Sequence, residues 1–195
     1  DPNMAVSYGE NGNHILPSIS YTVPDDITLQ KDIVAAVTEV EVKEDAKLKK
    51  NVPLNFDHIL TGLKFKAGFA CTVNSITISN VAKSGTYTIG SGWSNLGQTQ
   101  NYTITFPGGK YVDEDSMITT DSDNNVVFMI PQSFNDDSAK ITLSYDNGST
   151  LETSLKGREW EKGRMITYTL HEKGETQADT LYFDLAAGPF KIEKG

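Results

Sequence analysis

The chain has 195 residues and a formal net charge of −9 at pH 7. This length suits one well-cored domain or one domain with part of another, and the acidic balance argues against nucleic-acid binding, which needs clustered lysines and arginines. The single cysteine, Cys71, rules out an internal disulfide and is expected to be a small buried side chain in a strand. No apolar run approaches the roughly 20 residues of a membrane-spanning helix.

The start of the chain predicts a polar lead-in followed by short strands. Residues 1–17, rich in glycine and asparagine, are expected to be a loop or disordered. Residues 19–23 alternate and end at Pro24, which predicts the first strand. Residues 31–42 are ambiguous between helix and strand, and the alternation of residues 38–42 favours a strand over the second half.

Residues 51–67 predict two half-buried strands, because apolar side chains recur at every second position. A turn or bulge is expected between the strands at Thr61 and Gly62. His58 shares the apolar face of the first strand and is expected to be partly buried and hydrogen-bonded to backbone. The apolar side chains predicted to face the core are Val52, Leu54, Phe56, Leu63, Phe65 and Ala67.

The middle of the chain predicts a series of short strands separated by turn residues. These strands are expected at residues 73–81, 85–89, 101–106, 126–130, 140–145 and 150–155. Residues 146–148 predict the clearest hairpin, because Asn147 and Gly148 tolerate the positive φ angles of a tight turn. After Gly163 an alternating segment predicts a closing strand that reaches Leu170. Many short strands with little helix indicate an all-β sandwich.

Five short patterns, taken in order, resemble the fimbrillin-like (Mfa-like) surface and fimbrial proteins of Bacteroidetes over residues 15–170. The positions that carry the resemblance are Leu54, Phe56 and His58, then Leu63 and Phe65, residues 75–78, Pro131 and Gln132, and Trp160, Gly163 and Tyr168. The resemblance implies a transthyretin-like Greek-key β-sandwich of about seven or more strands in two sheets. It also implies a fimbrial subunit or adhesin module at the cell surface or outer membrane, made as a lipoprotein precursor whose signal and anchor would precede Asp1.

No convincing catalytic or metal-binding set is visible, so the chain is predicted to be non-enzymatic and to need no cofactor. The histidines His14, His58 and His171 are far apart and have no ligand-like spacing to one another or to Cys71. Paired carboxylates are better explained as solvated turns than as glycosidase acids. Residues 121–125 imitate the first half of a calcium loop, although Val126 occupies the required glycine position.

Two further sets of residues are candidates for contact or modification. Four aromatic residues lie in a region rich in glycine, serine and asparagine and could present a glycan-binding face, or could simply pack on a sheet: they are Tyr87, Trp93, Tyr102 and Tyr111. Three tripeptides look like the Asp-(Ser/Thr)-hydrophobic acceptor of Bacteroidetes O-glycosylation, with acceptors at Ser116, Ser138 and Thr180. A carbohydrate-binding module of a larger surface protein is the alternative interpretation of the chain.

Beyond Leu170 the composition changes, which predicts a domain at residues 18–172 and a separate segment at residues 173–195. A polar linker leads to a renewed alternation at Leu181, Phe183 and Leu185. These side chains either open a following module or form a donor strand, because subunits of the resembled family are thought to join by strand complementation. The expected partners are other fimbrial or surface subunits, a second copy of the chain, and host or microbial glycans.

Overall fold

The computed structural model describes residues 4–7, 17–38, 53–119, 126–146, 148–171 and 188–189, and these are almost entirely β-strand. Their one helix is a 3-10 turn at Ile27–Leu29. The strands, in chain order, are β1 (Met4–Ser7), β2 (Ser18–Thr22), β3 (Val34–Ala35), β4 (Asp57–His58), β5 (Thr61–Ala67), β6 (Cys71–Ala82), β7 (Ser84–Thr88), β8 (Gly92–Ser94), β9 (Thr99–Val112), β10 (Val127–Met129), β11 (Gln132–Ser133), β12 (Lys140–Tyr145), β13 (Ser149–Ser154), β14 (Glu159–Trp160), β15 (Arg164–Leu170) and β16 (Gly188–Pro189).

The described strands form three four-stranded sheets and two two-stranded sheets. One sheet has the order β13-β12-β6-β9 and is antiparallel throughout. Another has the order β10-β5-β15-β16 and contains a parallel pair, β5 with β15. The third has the order β1-β2-β7-β8, and the small sheets are β11-β14 and β3-β4. The all-β prediction with little helix is confirmed and is consistent with a β-sandwich, although the strands are divided among more sheets than the two expected.

The centre of the antiparallel sheet supplies one wall of the core. Ile76 and Ile78 on β6 stand opposite Leu143 and Ile141 on β12, and all four side chains are almost completely buried. Their period-two spacing along each strand places them on a single face. The sequence shows the same alternation, so the β6 and β12 strands could be predicted from local pattern.

The parallel pair supplies further side chains of the same core. Leu63 and Phe65 on β5 stand opposite Ile166 and Tyr168 on β15. The rings of Phe65 and Tyr168 stack with their centroids 5.9 Å apart. Most of the β domain lies between these two strands in the sequence. Their pairing therefore closes the domain.

The prediction that a strand carries Leu54 and Phe56 into the core is wrong. Only Asp57–His58 forms β4, which pairs with β3, and Leu54 and Phe56 are 53% and 57% exposed. The next two residues, Ile59 and Leu60, are fully buried instead. Apolar side chains that directly precede the long β5 strand therefore fill the core, and the alternating residues before them are left at the surface.

The turn predicted at Thr61 and Gly62 is also wrong, because β5 begins at Thr61. Gly62 lies between two neighbouring strands and stands opposite Phe128 on one side and Met165 on the other. The glycine is therefore an interior strand position. Close backbone approach, rather than a turn, is the usual role of glycine at such a place.

The hairpin predicted around residues 146–148 is confirmed. Tyr145 stands opposite Ser149, so three residues connect β12 to β13. Asp146 and Gly148 both have positive φ angles, of 46° and 96°, as residues of tight hairpin connections often do. Asn147 lies outside the described residues, as do residues 39–42, for which a strand was predicted. The lead-in expected at residues 1–17 contains β1, which pairs with β2.

Tyr21 lies in the core with its hydroxyl buried and without a hydrogen-bond partner among the described residues. Burial raises the pKa of this phenol from its ordinary value of 10.0 to about 12. A raised pKa means that the native state keeps a proton that the unfolded chain releases. Its contribution to stability is therefore complete below pH 10.0 and is lost as the pH rises toward about 12.

Tyr21→Phe should therefore be neutral or stabilising by up to about 1 kcal/mol at pH 7, because it deletes an unsatisfied polar group. It should also reduce the loss of unfolding free energy between pH 8 and pH 11, measured by urea denaturation. Tyr168→Phe is the matched contrast, because the Tyr168 hydroxyl accepts a hydrogen bond from the Trp160 indole at 2.9 Å. That variant should lose about 1 kcal/mol at pH 7. Equal losses in the two variants would show that the Tyr21 hydroxyl is satisfied in solution.

Candidate functional site

An open groove of about 1040 Å³ lies where several short strands meet. Its lining comes from β4, from the edge strand β8, from the small β11-β14 sheet and from the turn that leads into β15. The side chains that matter chemically are Phe56, Asp57, Trp93, Ser133, Glu159 and Lys162. Each of these strands is either a two-residue strand or the last strand of its sheet, so the groove occupies a place where sheets end.

Trp93 is held in the groove lining by contacts with two buried residues. Its indole N–H donates to the carbonyl oxygen of Ile59 at 2.6 Å. Its ring packs against Tyr87, with centroids 5.5 Å apart and planes inclined at 60°. Ile59 and Tyr87 are both buried. The orientation of Trp93 is therefore set by the protein interior before any ligand arrives.

The β11-β14 wall is fixed by the contacts of Trp160 and Gln132, two residues of the groove lining. Trp160 is buried, donates its indole N–H to Tyr168 and meets Phe134 edge to face at 4.8 Å. The Gln132 amide accepts from the Ala82 N–H at 2.8 Å and donates to the Ala82 and Ile130 carbonyl oxygens at 3.1 and 3.0 Å. Trp160 therefore has a structural role in this wall.

The turn into β15 places charged side chains along the rim. Gly163 adopts a φ of +68° and donates its N–H to the Leu60 carbonyl oxygen at 2.8 Å. This left-handed conformation suits glycine, and the hydrogen bond joins the turn to the buried Leu60. Arg164 pairs with Glu161 at 3.1 Å, whereas Lys162 makes no ion pair among the described residues.

A partly shielded contact between His58 and Asp32 lies at the groove, whose lining includes His58. His58 lies against Asp32 through its Nδ1 atom, and both side chains are largely shielded. Desolvation raises the pKa of the Asp32 carboxyl, and the interaction with His58 opposes that rise. The sequence predicted a backbone partner for His58, and the structure gives its ring a carboxylate partner from a segment 26 residues earlier.

The four aromatic residues proposed from the sequence as a glycan-binding face do not share one exposed surface. Tyr87 and Tyr102 are buried, and Tyr102 accepts a hydrogen bond from Gln30 at 3.0 Å. Tyr111 is 65% exposed and donates to Asp113. Only Trp93 lines the groove. The other aromatic side chain of the groove lining is that of Phe56. The sequence did not indicate Phe56 as a site residue, because its alternation with Leu54 and His58 is the usual pattern of a buried face.

The other predicted site residues either lie apart from the groove or fall outside the described residues. Ser138 is exposed, whereas Ser116 is half-buried in a loop that pairs with β5. Thr180, Leu181, Phe183 and Leu185 lie outside the described residues, as does the calcium-like run at residues 121–125.

The part of the chain that the structure describes contains no group of three or more metal-ligating His, Cys, Asp or Glu side chains. Cys71 is buried, as predicted. No helix among the described residues is long and apolar enough to cross a membrane.

The model of the fimbrillin-like family matches residues 5–181. This chain belongs to the fimbrillin-like family. The match confirms the resemblance seen in the sequence and extends it from residues 15–170 to residues 5–181. No curated protein sequence matches this fimbrillin-like chain.

Two solved structures are similar to this fimbrillin-like chain at low sequence identity. A candidate cell adhesion protein from Bacteroides uniformis is 16% identical with a TM-score of 0.57, covering 95% of this chain and 71% of that protein. A candidate cell adhesion protein from Bacteroides ovatus is 13% identical with a TM-score of 0.46, covering 96% of this chain and 75% of that protein. The first likeness supports the fold.

Proposed function

We propose that this fimbrillin-like chain is a non-enzymatic, exported cell-surface protein that acts as a fimbrial subunit or adhesin module. The observation that carries the proposal is the family match over nearly the whole β domain, residues 5–181. The cell adhesion description of the B. uniformis protein, whose fold is similar, agrees with this role. Export to the surface is also compatible with O-glycosylation at Ser116, Ser138 and Thr180, of which Ser138 is an exposed position.

Strand-mediated assembly is the mechanism we favour for this role. The late segment β16 adds to the end of the sheet β10-β5-β15-β16, where Pro189 and Gly188 stand opposite Arg164 and Met165. A strand added to a sheet edge gains affinity from main-chain hydrogen bonds and specificity from alternate side chains. The alternating residues Leu181, Phe183 and Leu185 precede β16 and have the spacing that a donor strand needs.

The domain boundary after residue 172 is part of this proposal. The segment beyond it has two possible roles, which differ in their effect on self-association. If residues 173–195 donate a strand to another copy, the full chain self-associates and the truncated chain does not. If they open a following module, the truncated chain is monomeric and nearly as stable as the full chain. In both cases we expect the sandwich to fold without them, because few contacts are expected to cross the polar linker after Leu170 and β16 adds only the pairing of Gly188 and Pro189 with β15.

Replacing Leu181, Phe183 and Leu185 together by alanine should abolish self-association, because the side chains that fill an acceptor groove are removed. Truncation after Glu172 should do the same. The measurement is the molar mass of the purified chain by light scattering over a range of concentrations. Tyr182→Ala with Asp184→Ala is the matched control, because these positions alternate with the three apolar ones.

Two results would count against strand donation. Equal self-association in the triple variant and in the control would show that the apolar face is not used. Unfolding of the truncated chain would show that this segment completes the core of its own domain.

A further inference from the structure

The groove combines an exposed aromatic ring with a fixed one. The Phe56 side chain is 57% exposed, so much of its apolar surface remains in water. Trp93 is held by Ile59 and Tyr87, so its ring presents a surface that needs no ordering on binding. Rigid aromatic surfaces bind at low cost in conformational entropy. The apolar C–H faces of sugar rings are suitable partners for such surfaces.

The polar side chains around these rings can both donate and accept hydrogen bonds. Asp57, Ser133, Glu159 and Lys162 line the groove and make no side-chain hydrogen bond or ion pair among the described residues. Carboxylates accept, an ammonium group donates, and a hydroxyl does both. A ligand rich in hydroxyl groups could satisfy all of them, because each sugar hydroxyl also donates and accepts.

The charges of the lining are nearly balanced, which favours a neutral ligand. Three carboxylates, of Asp57, Glu159 and Glu161, face two cations, Lys162 and Arg164. Glu161 and Arg164 already pair with each other. A lysine-rich peptide has no flat C–H face to place on Phe56 and Trp93, and a sialylated glycan would bring its carboxylate against Asp57 and Glu159. Like charges brought together in this way oppose binding.

We propose that the groove binds a segment of a neutral oligosaccharide, with Phe56 and Trp93 contacting the sugar rings and Asp57, Glu159 and Lys162 contacting the hydroxyl groups. This ligand class rests on the proposed role as an adhesin and deepens it. The groove volume of about 1040 Å³ is at the upper end of the range of about 300–1,000 Å³ for ligand pockets. Because the groove is open, it can hold several sugar units within a longer chain.

The test is titration of the purified chain with maltohexaose, cellohexaose, xylohexaose, mannohexaose and lacto-N-neotetraose, followed by calorimetry and tryptophan fluorescence. At least one should bind at millimolar concentration or below and change the fluorescence, whereas sialyllactose and a lysine-rich hexapeptide should not bind. Phe56→Ala should weaken binding about threefold to tenfold, the equivalent of one aromatic contact. Asp57→Asn with Glu159→Gln should weaken it as well, since the charged acceptors are lost.

Tyr111→Ala is the matched control, because Tyr111 is an equally exposed aromatic residue that does not line the groove. Its affinity should equal that of the parent chain. All variants replace exposed side chains, and an unchanged urea midpoint verifies that each one folds. The proposal is overturned if none of the five neutral sugars binds, if only the peptide or sialyllactose binds, or if Phe56→Ala and Tyr111→Ala have the same effect. None of these outcomes bears on assembly, which light scattering tests separately.

Discussion

Phe65→Ala should destabilise the protein by about 3–5 kcal/mol, the range for emptying a buried aromatic site. Phe65 is fully buried on β5 and stacks on Tyr168 of the parallel strand β15. Its removal leaves a cavity between two strands that close the domain. A loss of this size is a large fraction of the typical total stability of about 5–15 kcal/mol. The measurement is the free energy of unfolding from urea denaturation.

Phe56→Ala is the matched control for Phe65→Ala, because the same side chain is removed at a position that is 57% exposed. Its effect should stay within about 0.5 kcal/mol, as for other surface substitutions. The comparison of the two variants tests whether Phe65 or Phe56 is the buried core residue. A large loss on Phe56→Ala together with a small loss on Phe65→Ala would restore the strand that the alternating pattern predicted.

Gln30→Leu should cost about 2–5 kcal/mol, because it leaves several buried polar groups without partners at about 1–3 kcal/mol each. Gln30 is buried, and its amide oxygen accepts from the Phe128 N–H at 2.7 Å. Its amide nitrogen donates to the Pro24 carbonyl oxygen and to the Tyr102 hydroxyl. Leucine has a similar volume, so the expected loss comes from hydrogen bonding rather than from a cavity. The unfolding free energy is again the measurement.

Gln98→Leu is the corresponding control, because Gln98 is exposed and makes no hydrogen bond among the described residues. It should change the unfolding free energy by less than about 0.5 kcal/mol. Gln30→Glu adds a second contrast: it keeps an acceptor for Phe128 but loses the donor to Pro24 and Tyr102. Equal stability of Gln30→Leu and the parent chain would mean that water reaches these groups in solution.

The strands that the sequence predicted well are those with strong alternation and clear turns. β6, β12 and β13 place Ile76, Leu143 and Leu151 in the core, and the hairpin at residues 146–148 joins the last two strands. Here the side-chain pattern and the turn residues lie within a few positions of one another. Local chemistry alone is then enough to specify strand, register and turn.

The candidate site could not be predicted in the same way, because it depends on contacts between distant segments. Phe56 alternates as a core residue does, but Ile59 and Leu60 take the interior positions. Tyr102 was a candidate for glycan contact because of the composition of its region. In the structure its buried hydroxyl accepts a hydrogen bond from Gln30, which lies 72 residues earlier. Nothing near either residue in the sequence signals these outcomes.

By itself, the sequence determined that this is an all-β chain of the fimbrillin-like family and where most of its central strands run, because those properties reside in period-two patterns and short motifs. The tertiary structure alone decided which alternating segments are buried and which face solvent. It paired β5 with β15 in parallel, and a parallel pair needs a long connection that local pattern does not specify. It also brought Phe56, Trp93 and Glu159 to one groove, since a site formed where several sheets end exists only after those sheets have packed.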